Sequence, residues 1–352
     1  MTDLLSFDAD RFASHMAWLG AFLVLFNASA VLVERALYAF GNRRRRRIEQ
    51  RYEPLVRRCL EGDSEALRRL RASPRRHQLY IARLVVAPLY VHRDPRQLAR
   101  TREIFEAMSW IDTADDLLGS HRWWKRVIAI RALGILQIRS RAGALVAALD
   151  DSHPDVRAAA LDAVADLRDP STLGAIVVRL HDESLHRGRR FAVIAAFGVS
   201  CEPFVLDMAG VDATNRLDYA RALRICGTRQ SVPILTRWTG DADADVRAAA
   251  FEALGNIGLD IDTAALAMAA LEREDVKVRA MAAFALRGCR SGDVAVRLAQ
   301  HLDDQWPVAV RAAKALKDIG ATGVTALHAA SSRSDLAGEL ARQTLWEISA
   351  QC

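Results

Sequence analysis

Three patterns of apolar and polar positions succeed one another along the chain. From Met16 to Val33 the residues carry no formal charge. At about 1.5 Å per residue, eighteen such residues are just enough for a helix across a hydrocarbon core of about 30 Å. Trp18 near one end and Tyr38 and Phe40 past the other suit the two membrane interfaces. The pattern predicts a short extracytoplasmic tail over residues 1–15 and a single transmembrane helix over residues 16–42. A second stretch, residues 43–120, reads as a basic helical neck. Arg51–Arg71 has the form of two short helices, ended by Gly62 and restarted by an Asp63 or Ser64 cap. Leu79–Val91 is apolar but too short to span, and Arg83 and Pro88 interrupt it. It predicts a buried helix that Pro88 kinks or ends. Arg100–Met108 is a further helix, and Trp110, Trp123 and Trp124 are expected in a packed junction between the neck and the remainder of the chain.

From residue 121 to 352 the pattern repeats. KRVIAIRALGIL, VRAAALDAVADL, RRFAVIAAFGVS, VRAAAFEALGNI and VRAMAAFALRGC align on Arg126, Arg157, Arg190, Arg247 and Arg279. The gap between Arg190 and Arg247 holds a degenerate copy, DYARALRICGTR, with Tyr219 in the Arg position. A further copy, VAVRAAKALKDIG, has its Arg shifted to Arg311. A second helical stretch follows each copy, as in Ser171–Leu180, Ser231–Trp238 and Asp293–Leu302. Leu336–Ala350 reads as a closing helix. A helix–turn–helix unit of about 31 residues signals a solenoid. Ala158, Ala159 and Ala160, like Ala248, Ala249 and Ala250, allow close helix approach. Leu161, Val164, Phe251 and Leu254 supply the apolar stripe.

These residues resemble the HEAT repeat superfamily, in the short variety named after phycobilisome lyases. HPDVRAAALDAVADLRDPSTLGAIVVRL (His153–Leu180) and DADVRAAAFEALGNIG (Asp243–Gly258) carry the resemblance, which covers residues 121–350. It implies an all-α fold, a right-handed α-solenoid of HEAT-like helical hairpins, here preceded by the single transmembrane helix. It also implies that the recurring Arg pairs with an acid of the adjacent repeat, a structural ladder rather than catalysis. Such repeats occur in scaffolds, in bilin lyase subunits and in some DNA glycosylases, so the resemblance speaks to fold more than to function.

Composition and charge refine this picture. The chain has 352 residues, 51% of them hydrophobic and 26% charged, which excludes disordered and collagen-like chains. Its 49 basic residues include only four lysines, and with the many alanines this suggests a GC-rich bacterial genome. The basic excess is local: residues 43–102 hold 18 arginines against six acids. Arg43, Arg44, Arg45, Arg46 and Arg47 follow the apolar span directly. The positive-inside rule then leaves the N-terminus outside and the array in the cytoplasm, at a bacterial inner membrane. A cleaved signal peptide is the rival reading, on Ala28-Ser29-Ala30, but an acidic start and the arginine run oppose it. Beside an anchor the arginines favour anionic lipid headgroups over nucleic acid. Asn27 and Ser29 are either helix–helix contacts in the membrane or tolerated polar residues. The five cysteines are scattered and suggest reduced thiols in a helical core.

Motifs for chemistry are missing from the sequence. There is no phosphate-cradling glycine loop, no HExxH and no GxSxG. His181 and His186, five apart, do not share a helical face. No catalytic, cofactor-binding or metal-ligating residue is predicted, no cofactor is called for, and the chain is not read as an enzyme. What remains is surface. Arg179, His181, Arg237, Trp238, Arg297, His301 and Trp306 on the second helices are the candidates for touching a protein partner. The expected function is a membrane-anchored scaffold that binds a protein partner at the cytoplasmic face. The alternatives are an accessory or regulatory subunit of a membrane enzyme such as a glycosyltransferase of envelope glycan synthesis, a bilin-lyase-type enzyme, and a nucleic-acid binder acting through the neck.

Overall fold

The computed structural model describes residues 46–91 and 94–350. The predicted span at residues 16–42, with Asn27 and Ser29, and Arg43, Arg44 and Arg45 lie outside the described residues. Among those described, every regular element is helical. The chain divides into two units, one up to Asp116 and one from Leu117.

The first unit contains α1 (residues 46–60), α2 (Ser64–Arg71), α3 (Arg75–Val91), α4 (Pro95–Ala107) and the start of α5 (Trp110–Leu118). Gly62, at φ +100°, turns the chain out of α1. Asp63 then caps α2, accepting from the Glu65 and Ala66 amides at 2.8 and 3.1 Å. Helix α3 buries Ile81, Val85, Val86 and Leu89 as its apolar stripe requires. It neither ends nor breaks at Pro88 but runs on to Val91. Trp110 is fully buried and meets Phe105 edge-on at 4.6 Å. Arg46, Arg47, Arg51, Arg57 and Arg58 are exposed along α1.

The second unit is a stack of seven hairpins. The first helices are α6 (Trp123–Ile135), α8 (Pro154–Leu167), α10 (Arg187–Phe197), α12 (Arg216–Cys226), α14 (Ala244–Ile257), α16 (Val276–Ala285) and α18 (Trp306–Ile319). The second helices are α7 (Ala142–Ala147), α9 (Leu173–Val178), α11 (Glu202–Val211), α13 (Val232–Trp238), α15 (Ile261–Arg273), α17 (Gly292–Gln300) and α19 (Ala321–Ser331), and α20 (Leu336–Ser349) closes the stack. Small residues set the spacing. A Cβ on Gly134 would fall 2.4 Å from the Ala163 Cα, so α6 and α8 touch backbone to backbone. The first helices therefore form the close layer, with Ala159, Ala160, Ala250, Ala253, Ala282 and Ala312 buried between neighbours. The exception is α10. It packs less extensively than the other first helices on both sides, and Ala192 and Ala195 on it are exposed. The run Arg187–Val211, long and apolar enough by composition to cross a membrane, is the two helices of this third hairpin. They bury Val193, Ile194 and Val205 in the stack.

Trp123 and Trp124 stand exposed at the start of α6, where their size suggested burial. Trp123 lies flat on the His153 ring at 4.3 Å, within the second unit. A helix start offers few neighbours on its outer side, so even large rings there keep solvent contact.

Candidate functional site

From α8 onward the turn before each first helix carries an acid: Asp151, Asp182, Asp212, Asp241, Glu274 and Asp304. At three of these turns the recurring arginine of the preceding hairpin reaches the acid. Arg126 grips Asp151 with two bonds of 2.8 and 2.7 Å, and Arg279 grips Asp304 at 2.9 and 2.6 Å. Arg247 places Nε and Nη2 on one Glu274 oxygen at 3.2 and 2.8 Å. Each guanidinium also donates to a carbonyl of its own turn, at Ser120, Asp241 or Glu274. Bidentate, charge-assisted pairs of this kind fix geometry as well as charge. The Arg279 guanidinium holds the Asp304 carboxyl down to about 2, and Asp304 in turn raises Arg279. Burial opposes the ionisation of Asp151, but bonds from Arg126 and the His153 amide outweigh it and its pKa is lowered.

The ladder fails in the middle. Arg157 donates to the Asp151, Ser152 and Ser184 carbonyls and bonds no carboxylate. Arg190, 5% exposed, donates only to the Leu180 carbonyl, and its Nε has no partner. Burial lowers its pKa. Asp212, the acid in line for it, is instead bonded by Thr214, Asn215 and Tyr219. These bonds, Thr214 foremost, lower the Asp212 pKa, while burial and Asp212 push the Tyr219 phenol up to about 12. With Tyr219 in the ladder position, Arg216 takes over the next rung and reaches Asp241 at 2.9 Å. A substitute tie lies on the opposite side of the hairpin. The buried Glu202 carboxylate accepts from Ser231 Oγ at 2.5 Å and from Thr228 N and Oγ1 at 2.6 and 2.7 Å. Burial raises its pKa, these bonds lower it by more, and the net shift is downward. Glu202 has no sequence signal, because its partners sit 26 and 29 residues on.

The predicted surface residues fall into three groups. Arg179 is tied to Asp150 of the preceding hairpin at 3.1 and 2.7 Å. Arg297 reaches Glu272 at 2.9 Å, and His301 lies 3.4 Å from Glu272 and 3.2 Å from Asp304. These three are ties between hairpins as well as surface. Trp238, at 4% exposure, is not surface but core, buried with Leu235 on α13. His181, Arg237 and Trp306 are exposed. Among the described residues no group of three or more His, Cys, Asp and Glu side chains is placed to hold a metal ion. The buried Cys59, Cys201 and Cys226 are pushed up to about 11, 11 and 12, burial being the main cause.

Comparison with known families places this architecture. The family described as HEAT repeats matches residues 102–198 and 205–287, just over half of the chain. The chain belongs to the HEAT repeats. The match begins inside the neck and is interrupted at residues 199–204, the turn of the third hairpin and the first residues of α11. None of the curated proteins matches the chain. An engineered protein of known structure is similar at 17% identity over 85% of this chain and 98% of its own, with a TM-score of 0.37. The CpcE–CpcF complex of phycocyanin lyase from Nostoc is similar at 17% identity over 68% and 94%, TM-score 0.35. Kap121p bound to Ste12p is similar at 11% identity over 85% and 45%, TM-score 0.39. As a HEAT-repeat protein the chain is a helical repeat scaffold of the kind that serves protein interaction.

Proposed function

We propose that the chain is a membrane-anchored scaffold. On this reading a HEAT array is held at the cytoplasmic face of a bacterial inner membrane by one N-terminal helix and recruits a protein partner there. The arginine run at residues 43–47 meets anionic headgroups beside the anchor. Tethering raises the partner's effective concentration at the membrane without a new contact. The observation that carries the scaffold role is the ladder. Arg126, Arg247 and Arg279, with Arg216 out of register, are spent on neighbouring hairpins, which supports a stack that presents a preformed surface. The reading gives the chain no reaction of its own.

The test is crosslinked capture with the full-length chain and with a truncation starting at Ile48. A protein partner recovered by both, and found with membranes only through the full-length chain, is the expected result. A full-length chain that fractionates away from membranes, or captures no protein, overturns the reading. A membrane enzyme recovered by the full-length chain alone would make it an accessory subunit, with the contact in the anchor or the arginine run.

A further inference from the structure

The sixth hairpin departs from its own repeat at two positions that meet a third from the seventh. Five residues after the ladder position the first five hairpins carry Arg131, Asp162, Ala195, Arg224 and Glu252, but the sixth carries Phe284. Three residues further, where the first and fifth carry Gly134 and Gly255, the sixth carries Arg287. Gly255 makes room for the ring, since a Cβ there would stand 3.1 Å from it. Arg311 comes from α18. The Arg287 guanidinium lies 4.0 Å and that of Arg311 5.3 Å from the centre of the Phe284 ring. With Lys314, Ala315 and Asp318 they line a cleft of about 150 Å³ between α16 and α18.

Two cations on one ring are held by its quadrupole and repel each other. Arg287 is steadied by Asn256 Oδ1 at 3.0 Å. A guanidinium over a ring spends its flat face there and keeps N–H edges for a carboxylate. Three cations face one acid, Asp318, so the cleft has a local positive excess. That excess is confined. From Leu117 onward the chain has 29 basic and 28 acidic residues, and a local charge is screened within about 8–10 Å. A nucleic acid needs cations repeated along its backbone. A lone carboxylate beside an apolar side chain needs only what is here.

We propose that this cleft docks an acidic segment of a protein partner. One Asp or Glu carboxylate takes the edges of Arg311 and Arg287 and the head of Lys314, and an apolar neighbour lies on Phe284 and Ala315. The proposal rests on the scaffold reading and gives it a site and a partner chemistry. The test is fluorescence anisotropy of the full-length chain in mild detergent with three labelled probes: the peptide Leu-Asp-Glu-Phe-Asp-Glu-Leu, its Asn/Gln counterpart, and a ten-residue oligothymidylate. The acidic peptide should bind at least about tenfold tighter than the amide peptide, and the pair Arg311→Gln and Lys314→Gln should remove that preference. Lys314 is exposed and Arg311 half-buried, and unchanged helical circular dichroism checks that the pair folds. Charge reversal with Arg311→Glu and Lys314→Glu should shift the preference to a Lys-containing peptide. Equal affinity for the two peptides, insensitivity to the substitutions, or tighter and equally sensitive binding of the oligonucleotide overturns the proposal. Partner capture by the full-length chain with Arg311 and Lys314 replaced separates the two readings, since a scaffold using another face keeps its partner.

Discussion

Gly255 lies directly against the next hairpin: a Cβ on it would stand 2.7 Å from the Ala285 Cα and 3.1 Å from the Phe284 ring. Backbone cannot retreat as a flexible side chain can, so Gly255→Ala should cost about 1–3 kcal/mol. The measurement is urea unfolding, with a lower midpoint and an unchanged slope. Gly143→Ala is the control, because its Cβ meets nothing within 4 Å. It should be neutral or stabilise by about 0.5 kcal/mol. Equal loss in both would refute the close-contact account.

The same substitution at two ladder positions should act with opposite sign. Arg279→Met leaves Asp304 without its bidentate partner at a largely buried site and should cost about 2–4 kcal/mol. Arg190→Met removes a buried guanidinium that bonds no carboxylate and has an unmet Nε. It should be neutral or stabilise by about 1 kcal/mol. Thermal unfolding of the two variants decides it, and a large loss in both would show that Arg190 is a working rung.

Acid should loosen the stack at its ties. Asp304, Asp151 and Glu202 all have lowered pKa values in the folded chain, Asp304 to about 2. A lowered carboxylate contributes its full stabilisation above the unfolded value of about 4 and loses it as pH falls through the folded one. Stability should therefore hold near neutrality and fall between about pH 4 and pH 2. Asp304→Asn should be less stable at pH 7 and show a shallower fall. A variant as steep as the parent would refute the assignment.

Thiol reagents should discriminate among the cysteines. Cys59, Cys201 and Cys226 are buried with raised pKa values, whereas Cys289 is half-exposed and raised too. In the native chain at neutral pH, Cys289 should label before these three, which should wait for unfolding. Mass spectrometry of timed samples reads the order.

The repeat was legible because ladder arginine and apolar stripe recur at nearly fixed spacing, and the structure places hairpins where the alignment put them. The rung made by Arg216 was not legible, because it sits three positions before Tyr219 and out of register. Arg179, Arg297 and His301 looked like free surface because their acids, Asp150 and Glu272, lie on the preceding hairpin. Trp238 shows the same limit from the other side: a ring on a short second helix is core or surface according to how that helix is rotated. Pro88 in α3 reads as a breaker, yet a helix packed along its apolar stripe tolerates it. Phe284 reads as one more core residue until Arg287 and Arg311 are seen on its ring.

The missing rungs at Arg157 and Arg190 have a mechanical consequence. A column that lacks its arginine rung at two adjacent storeys, held there by Arg189 on Asp162 and by Glu202 on Ser231 and Thr228 instead, does not flex evenly. Strain concentrates where α10 is least gripped, so the segments on either side should swing as stiff arms about the third hairpin. A partner long enough to bridge both arms would sense their angle, and one seated wholly on the sixth and seventh hairpins would not.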